Sequence, residues 1–216
     1  MNYEDERKKM CEIGKLMYSN KLAIANDGNI SIRIAENEIL VTPTRICKKD
    51  LRPDMIVRMD LDGNVLEGTH MPSSEVKMHL RVYVERPDLR VVIHTHSPFA
   101  TAFATAGIAL DRVTVPSAYC FLGKVPLTPY GTASTEEVPN NIARLIRDHE
   151  ALLLQNHGVL VAGKALEETY FKAERVELYA QISLLAHLLG GARELSADEL
   201  VRLEAKKERQ KKMGLL

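Results

Sequence analysis

The sequence predicts an α/β fold, and three observations carry that prediction. Two short runs, residues 91–94 and 151–154, are dominated by Val, Ile and Leu and read as buried strands. Residues 30–34, Ile-Ser-Ile-Arg-Ile, alternate strictly and read as a half-buried strand. Around them, residues 3–21 and 165–189 repeat apolar side chains at helical spacing.

The elements follow in order. In residues 3–21, Met10, Ile13, Leu16 and Met17 recur one helical turn apart with charges between them. Asn26-Asp27-Gly28-Asn29 is a turn cluster. It leads into the strand at 30–34, and residues 38–42 pair with that strand as a hairpin. Pro43-Thr44-Arg45 ends the hairpin. Residues 55–60 and 65–67 read as strands flanking the Leu61-Asp62-Gly63-Asn64 turn. A loop then precedes a helix over about 74–85, stopped by Pro87, with Ser73 or Ser74 as its N-cap. Residues 98–106 are a small helix facing the sheet with Phe99, Ala102 and Phe103. Residues 112–130 are expected to be β-rich but irregular, because Pro116, Pro126 and Pro129 limit regular pairing. Ser134 to Glu137 reads as a capping box that opens a helix to about 149. The strand at 152–154 is expected to continue past a break as 158–163. The longest helix, 165–189, carries a stripe of Tyr170, Ala173, Val176, Ala180, Leu184 and His187. Ser196 to Glu199 is a second capping box, opening a C-terminal helix whose charged end reads as solvated surface. No repeat, linker or low-complexity segment interrupts the chain, so residues 1–216 read as one domain.

Composition narrows the function classes. A content of 45% apolar and 27% charged residues is ordinary for a soluble globular protein. Zero formal net charge and a pI near 7.1 argue against nucleic-acid binding by bulk charge. Cys11, Cys47 and Cys120 are odd in number and widely spaced, which points to a reducing cytoplasm. The charged segment 1–9 lacks the apolar stretch of a signal peptide. No run approaches the ~18 apolar residues of a membrane span.

The chemistry-bearing residues sit where apolar runs break. His94 and His96 are two apart at a strand end, so both imidazoles can aim at one point. His157 follows the second run, 151–154. Three imidazoles would leave a zinc ion a fourth position, which Glu75 could fill or share. His79, four residues after Glu75 on the same helix face, could ligate metal but reads first as a core histidine or one behind the ligands. Ser73 and Ser74 either cap their helix only or form an anion site with its free N–H groups.

Five motifs stand in a fixed order: Gly28-Asn29-Ile30-Ser31, Thr42-Pro43-Thr44, Pro72-Ser73-Ser74-Glu75, His94-Thr95-His96 and Gln155-Asn156-His157-Gly158. Together they resemble the class II aldolase/epimerase family, which also includes the adducin head, over nearly the whole chain to about residue 190. The resemblance implies a three-layer α/β/α sandwich on a mostly antiparallel mixed sheet. It implies a homotetramer with active sites between subunits and a small sugar phosphate as substrate, with no nucleic acid or membrane as partner. One Zn²⁺ per subunit would be held by His94, His96 and His157, with Glu75 as ligand and acid/base. Phosphate would fall on Gly28, Asn29, Thr44, Ser73 and Ser74. Arg45 replaces the family aldolase's Gly and either contacts phosphate or points to solvent. Tyr119 and Tyr130 are the candidates for the proton donor at the aldehyde end. At two positions where the family's fuculose-type enzyme has aromatic side chains, this chain has about Ala133 and Met213. The expected reaction is reversible cleavage of a ketose 1-phosphate, fuculose-like or a 5-deoxy- or methylthio-pentulose, to dihydroxyacetone phosphate and an aldehyde. The alternatives are a dehydratase or 4-epimerase, and a non-catalytic module like the adducin head. Glu at position 75 favours the aldolase.

Overall fold

The computed structural model describes residues 3–214; Met1, Asn2, Leu215 and Leu216 lie outside them. Strand pairing builds a single eight-stranded sheet in the order β4-β3-β2-β1-β5-β8-β7-β6. Its strands are β1 (Asn29–Ala35), β2 (Glu38–Val41), β3 (Val57–Asp60), β4 (Val65–Glu67), β5 (Val91–Thr95), β6 (Leu127–Thr128), β7 (Ala151–Leu154) and β8 (Gly158–Gly163). Every pairing is antiparallel except β6 with β7.

Helices cover both faces of the sheet. On one face lie α1 (Glu4–Ser19), α3 (Pro98–Thr105), α4 (Pro116–Leu122) and α6 (Leu166–Leu188), over a core that includes Met10, Met17, Ile30, Ile32, Val91, Ile93, Ala173 and Val176. On the other lie α2 (Val76–Glu85) and α5 (Glu137–Leu145), over Ile39, Met59, Met78, Val82, Val92, Ile142, Leu152 and Leu160. Each fully buried Val, Leu or Ile of these layers contributes roughly 1.5–3 kcal/mol relative to exposure. The last helix, α7 (Ala197–Lys212), opens on the expected box, with Ser196 N–H on Glu199 Oε2 at 2.8 Å and Glu199 N–H on Ser196 Oγ at 3.4 Å. This is the three-layer α/β/α arrangement the resemblance implied.

Several local expectations are corrected. Residues 112–130 are not β-rich: Pro116 occupies the first turn of α4, where its fixed φ and missing N–H suit a helix start, and pairing is confined to Leu127–Thr128 and a single bridge from Val125 to Leu110. The run 158–163 does not continue β7. It folds back as β8, with Leu154 opposite Gly158, because Asn156 at φ 56 closes a tight turn. Met55 lies in a 3₁₀ turn rather than in β3. In α3 the buried positions are Ala100 and Ala104, while Ala102 is exposed. Neither serine caps α2 in the expected way: the helix starts at Val76, and Ser73 Oγ accepts the N–H of Glu75 at 3.3 Å. Ser134 is not the cap of α5 either. Thr135 Oγ1 accepts the Glu137 N–H at 3.2 Å, and the Glu137 carboxylate takes the Thr132 N–H at 2.8 Å. Along α6, Tyr170, Ala173, Val176 and Ala180 are buried, but His187 is exposed and Leu184 only half-buried. Finally, β1 is not half-buried: Asn29 and Ser31 on its polar side are as inaccessible as Ile30 on the other, because α2 covers them.

Candidate metal centre and active site

Strand pairing assembles the centre. Asn29 of β1 stands opposite His94 of β5, so both side chains emerge together on the face covered by α2. His96 follows β5, His157 sits in the β7–β8 turn, and Glu75 immediately precedes α2. One ligand atom from each of Glu75, His94, His96 and His157 lies within 4.8 Å of the others. His94 Nε2 is 2.8 Å from His96 Nε2 and 3.4 Å from Glu75 Oε2; His157 Nε2 is 2.8 Å from Glu75 Oε1.

Two glycines make this approach possible. A Cβ on Gly28, at φ +73, would come within 2.9 Å of the His94 carbonyl oxygen. A Cβ on Gly158 would collide with the Thr95 carbonyl oxygen and reach 3.0 Å from His96 Cδ2 and 3.2 Å from His94 Cε1. A side chain at Gly158 would push against both imidazoles, and one at Gly28 would push its loop off the β5 backbone.

The donor set fits a divalent cation. His94 Nδ1 is 2.8 Å from the Val159 carbonyl oxygen, which can only accept, so Nδ1 carries the proton and Nε2 presents a lone pair to the cluster. This is the outer contact that orients a metal-bound histidine. Burial, with the neighbouring histidines, pushes His94 down to about 3 against the pull of Glu75, so its ring is neutral at ordinary pH. For Glu75, burial acts to raise the carboxyl, but electrostatic attraction to the surrounding histidines, His94 foremost, and the His157 hydrogen bond outweigh it and hold it below the ordinary carboxylate range. A three-nitrogen, one-carboxylate set of this kind suits zinc, with cobalt or manganese also compatible.

The residues matched to phosphate lie beside this centre. Thr44 N–H donates to Met71 O at 3.0 Å and Ser73 N–H to Thr42 O at 3.1 Å, joined by a Pro43–Pro72 bridge, so the two motifs run side by side. Ser73 is buried and Ser74 exposed. Arg45 is exposed and adopts φ 60, the left-handed region that favours glycine. The Asn29 side chain is turned toward Glu75, with Nδ2 to Oε2 at 2.9 Å. Tyr119 is held elsewhere, its hydroxyl bonded to Glu204 of α7 and its ring under Lys207. Tyr130 is exposed in the loop after β6, its N–H on Gln155 Oε1 at 3.0 Å, two residues before His157.

Two participants were not read from the sequence. Asp27 Oδ2 lies 3.6 Å from His96 Nδ1, the position of an outer partner for that ring; its turn motif gave no sign of this. Lys48 is fully buried, and its Nζ donates to the carbonyls of Ile46 at 2.7 Å and Asn26 at 3.2 Å, clamping the 26–28 and 44–48 loops together. Burial lowers it to about 8. In sequence it is half of a Lys-Lys pair that looks like ordinary surface.

The model of the Class II Aldolase and Adducin N-terminal domain family matches residues 8–184. The chain belongs to the class II aldolase family. It is an enzyme of the class II aldolase type, and its relatives show the range of that type. It is 34% identical over 210 residues to the 5-deoxy-D-ribulose 1-phosphate aldolase of Bacillus thuringiensis serovar kurstaki, covering 96% of this chain and 98% of that one. It is 32% identical over 206 residues to the 3-oxo-tetronate 4-phosphate decarboxylase of Escherichia coli K12, covering 92% and 95%. A solved L-fuculose 1-phosphate aldolase superposes with a TM-score of 0.87 at 30% identity, over 94% of this chain and 96% of that one. Among the described residues, no helix is long and apolar enough to cross a membrane.

Proposed function

We propose that this protein is a zinc-dependent aldolase that reversibly cleaves a ketose 1-phosphate to dihydroxyacetone phosphate and an aldehyde, with a 5-deoxy- or methylthio-pentulose 1-phosphate preferred to L-fuculose 1-phosphate. The observation that carries this reading is the convergence of Glu75, His94, His96 and His157 within 4.8 Å. The relative named for 5-deoxy-D-ribulose 1-phosphate, aligned over 96% of this chain, supports the apolar aldehyde. So do Ala133 and Met213, which offer no aromatic or hydroxyl group there.

His94, His96 and His157 would hold the metal, with Glu75 able to join them. When bound, the cation supplies Lewis-acid stabilisation of the negative charge that builds on the substrate oxygens, worth several kcal/mol. In the condensation direction the ionised Glu75 takes a proton from the hydroxymethyl carbon of dihydroxyacetone phosphate. Tyr130, whose hydroxyl is not engaged by α7 as that of Tyr119 is, gives a proton to the aldehyde oxygen; cleavage is the reverse. The backbone at Gly28 and Asn29, with Thr44, Ser73 and Ser74, would grip the phosphate, and Arg45 adds a charge-assisted contact. This grip positions the reacting carbon through binding energy remote from the bond that breaks. A homotetramer would complete the aldehyde end from a second subunit.

The test is a panel of ketose 1-phosphates with dihydroxyacetone phosphate detected as product. Preference for a 5-deoxy substrate supports the reading, and a strong preference for L-fuculose 1-phosphate overturns its substrate part. The decarboxylase relative gives a second reading a specific basis, and release of carbon dioxide from a 3-oxo acid phosphate would favour it. Against it stands the family resemblance, in which Glu at position 75 favours the aldolase.

A further inference from the structure

Beneath α2 runs a line of buried polar groups that ends on Glu75. Tyr83 hydroxyl and Ser31 Oγ are 2.7 Å apart, Ser31 Oγ and His79 Nδ1 2.7 Å, His79 Nε2 and Asn29 Oδ1 2.5 Å, and Asn29 Nδ2 and Glu75 Oε2 2.9 Å. Asn29 is 3% exposed, Tyr83 1%, and Ser31 and His79 0%. Apolar side chains surround it, with the Arg33 guanidinium over the Tyr83 ring at its outer end, and unpaired polar groups there would cost roughly 1–3 kcal/mol each.

The polarity of the line is forced from its end. An ionised carboxylate only accepts, so Asn29 must turn its NH₂ to Glu75 and its carbonyl oxygen to His79. The carbonyl oxygen only accepts, so His79 carries its proton on Nε2. Nδ1 is then a bare lone pair, and Ser31 must donate to it. The Ser31 oxygen in turn accepts from Tyr83, whose single proton goes there rather than to the Arg90 carbonyl, 3.4 Å away. Burial keeps each member neutral: it lowers His79 to about 4 and raises the Tyr83 phenol. Among the described residues, Glu75 is the acceptor of the Asn29 NH₂.

We infer that Tyr83, Ser31 and His79 act as positioning residues, setting the Asn29 amide so that it anchors Glu75 by Oε2, while Oε1, which faces His157 Nε2 at 2.8 Å, is the oxygen that takes and returns the proton. This deepens the aldolase reading and rests on it for its kinetic consequence. The hydrogen-bond order itself does not depend on activity.

The test therefore has two arms. In the first, ¹⁵N-labelled wild-type protein is examined by long-range ¹H–¹⁵N NMR. The expected result is a neutral His79 protonated at Nε2; an Nδ1–H tautomer or an imidazolium between pH 6 and 8 overturns the chain. In the second, His79→Leu, His79→Gln and Tyr83→Phe are compared with wild type for kcat, KM and bound zinc. His79→Leu should lower kcat ~10–100-fold with KM and zinc content within about twofold. His79→Gln, which can still donate to Asn29, should recover part of that loss, and Tyr83→Phe should fall less than His79→Leu. Unchanged kcat in His79→Leu, or no recovery in a folded His79→Gln, overturns the positioning role. Should His79→Leu fail to fold, Tyr83→Phe and the NMR arm still decide. If the wild type cleaves no ketose 1-phosphate, the aldolase reading fails while the NMR arm still settles the chain.

Discussion

The two faces of β1 behave differently although one alternating pattern makes both. Ile30 and Ile32 enter a layer of apolar side chains under α1 and α6. Asn29 and Ser31 enter the opposite layer and meet the only two polar side chains that α2 buries there among the described residues, His79 and Tyr83. The first face holds the sheet together by burial. The second is also buried, but its hydrogen bonds have a fixed direction and end on the carboxylate of the candidate site. Stability and chemistry are thus divided between the sides of one strand, and substitutions should separate them.

The largest effect is expected at the end of the polar face. Glu75→Gln removes the proton acceptor while keeping its shape, and kcat should fall ~10²–10⁴-fold with zinc still bound by the three histidines. Elemental analysis beside steady-state kinetics checks both halves; a fall below tenfold would remove Glu75 from the acid/base role. Further back on that face, Ser31→Ala leaves His79 Nδ1 without a donor. It should cost roughly 1–3 kcal/mol in urea unfolding and lower kcat as well. On the apolar face, Ile32→Val should cost about 0.5–1.5 kcal/mol and leave kcat unchanged. Equal kinetic effects from Ser31→Ala and Ile32→Val would erase the contrast.

Acid should act through the same buried polar face. His79 titrates near 6.5 when unfolded and at about 4 when folded, so the unfolded chain binds the extra proton. Its contribution is intact above pH 6.5 and is lost as pH falls toward 4, at up to roughly 1.4 kcal/mol per pH unit. Urea midpoints measured across that window should drop less steeply in His79→Gln than in wild type; identical slopes would show that the ring is not held neutral. The smallest effect is expected at Arg45. Left-handed backbone costs a non-glycine residue about 1–2 kcal/mol, so Arg45→Gly should unfold slightly later. If the guanidinium grips phosphate, KM should rise several-fold at the same time. An unchanged KM would leave Arg45 pointing to solvent.

The clustered histidines are legible because strand periodicity and abrupt polarity at strand ends are local signals. His94 and His96 two apart, and His157 after an apolar run, needed no tertiary knowledge to be singled out. The network behind them was not legible. Alternation at 30–34 reports only that one side of β1 is polar, and a polar side is ordinarily a wet one. That α2 would cover it depends on His79 and Tyr83, four residues apart on one helix face, meeting Ser31 across about 50 positions of sequence. Lys48 was hidden in the same way, since its two acceptors are backbone carbonyls with no sequence signature. The helix at Pro116–Leu122 is not legible because three prolines in 112–130 read as breakers of pairing, although the first of them starts a helix.

The most direct test of the account is elemental analysis of the purified protein combined with product analysis on 5-deoxy-pentulose 1-phosphate, before and after chelation. The account predicts one zinc per chain, release of dihydroxyacetone phosphate, loss of activity on chelation and its return with zinc. Protein that binds no metal even after reconstitution, or that forms dihydroxyacetone phosphate at the same rate without it, would contradict the centre built by Glu75, His94, His96 and His157.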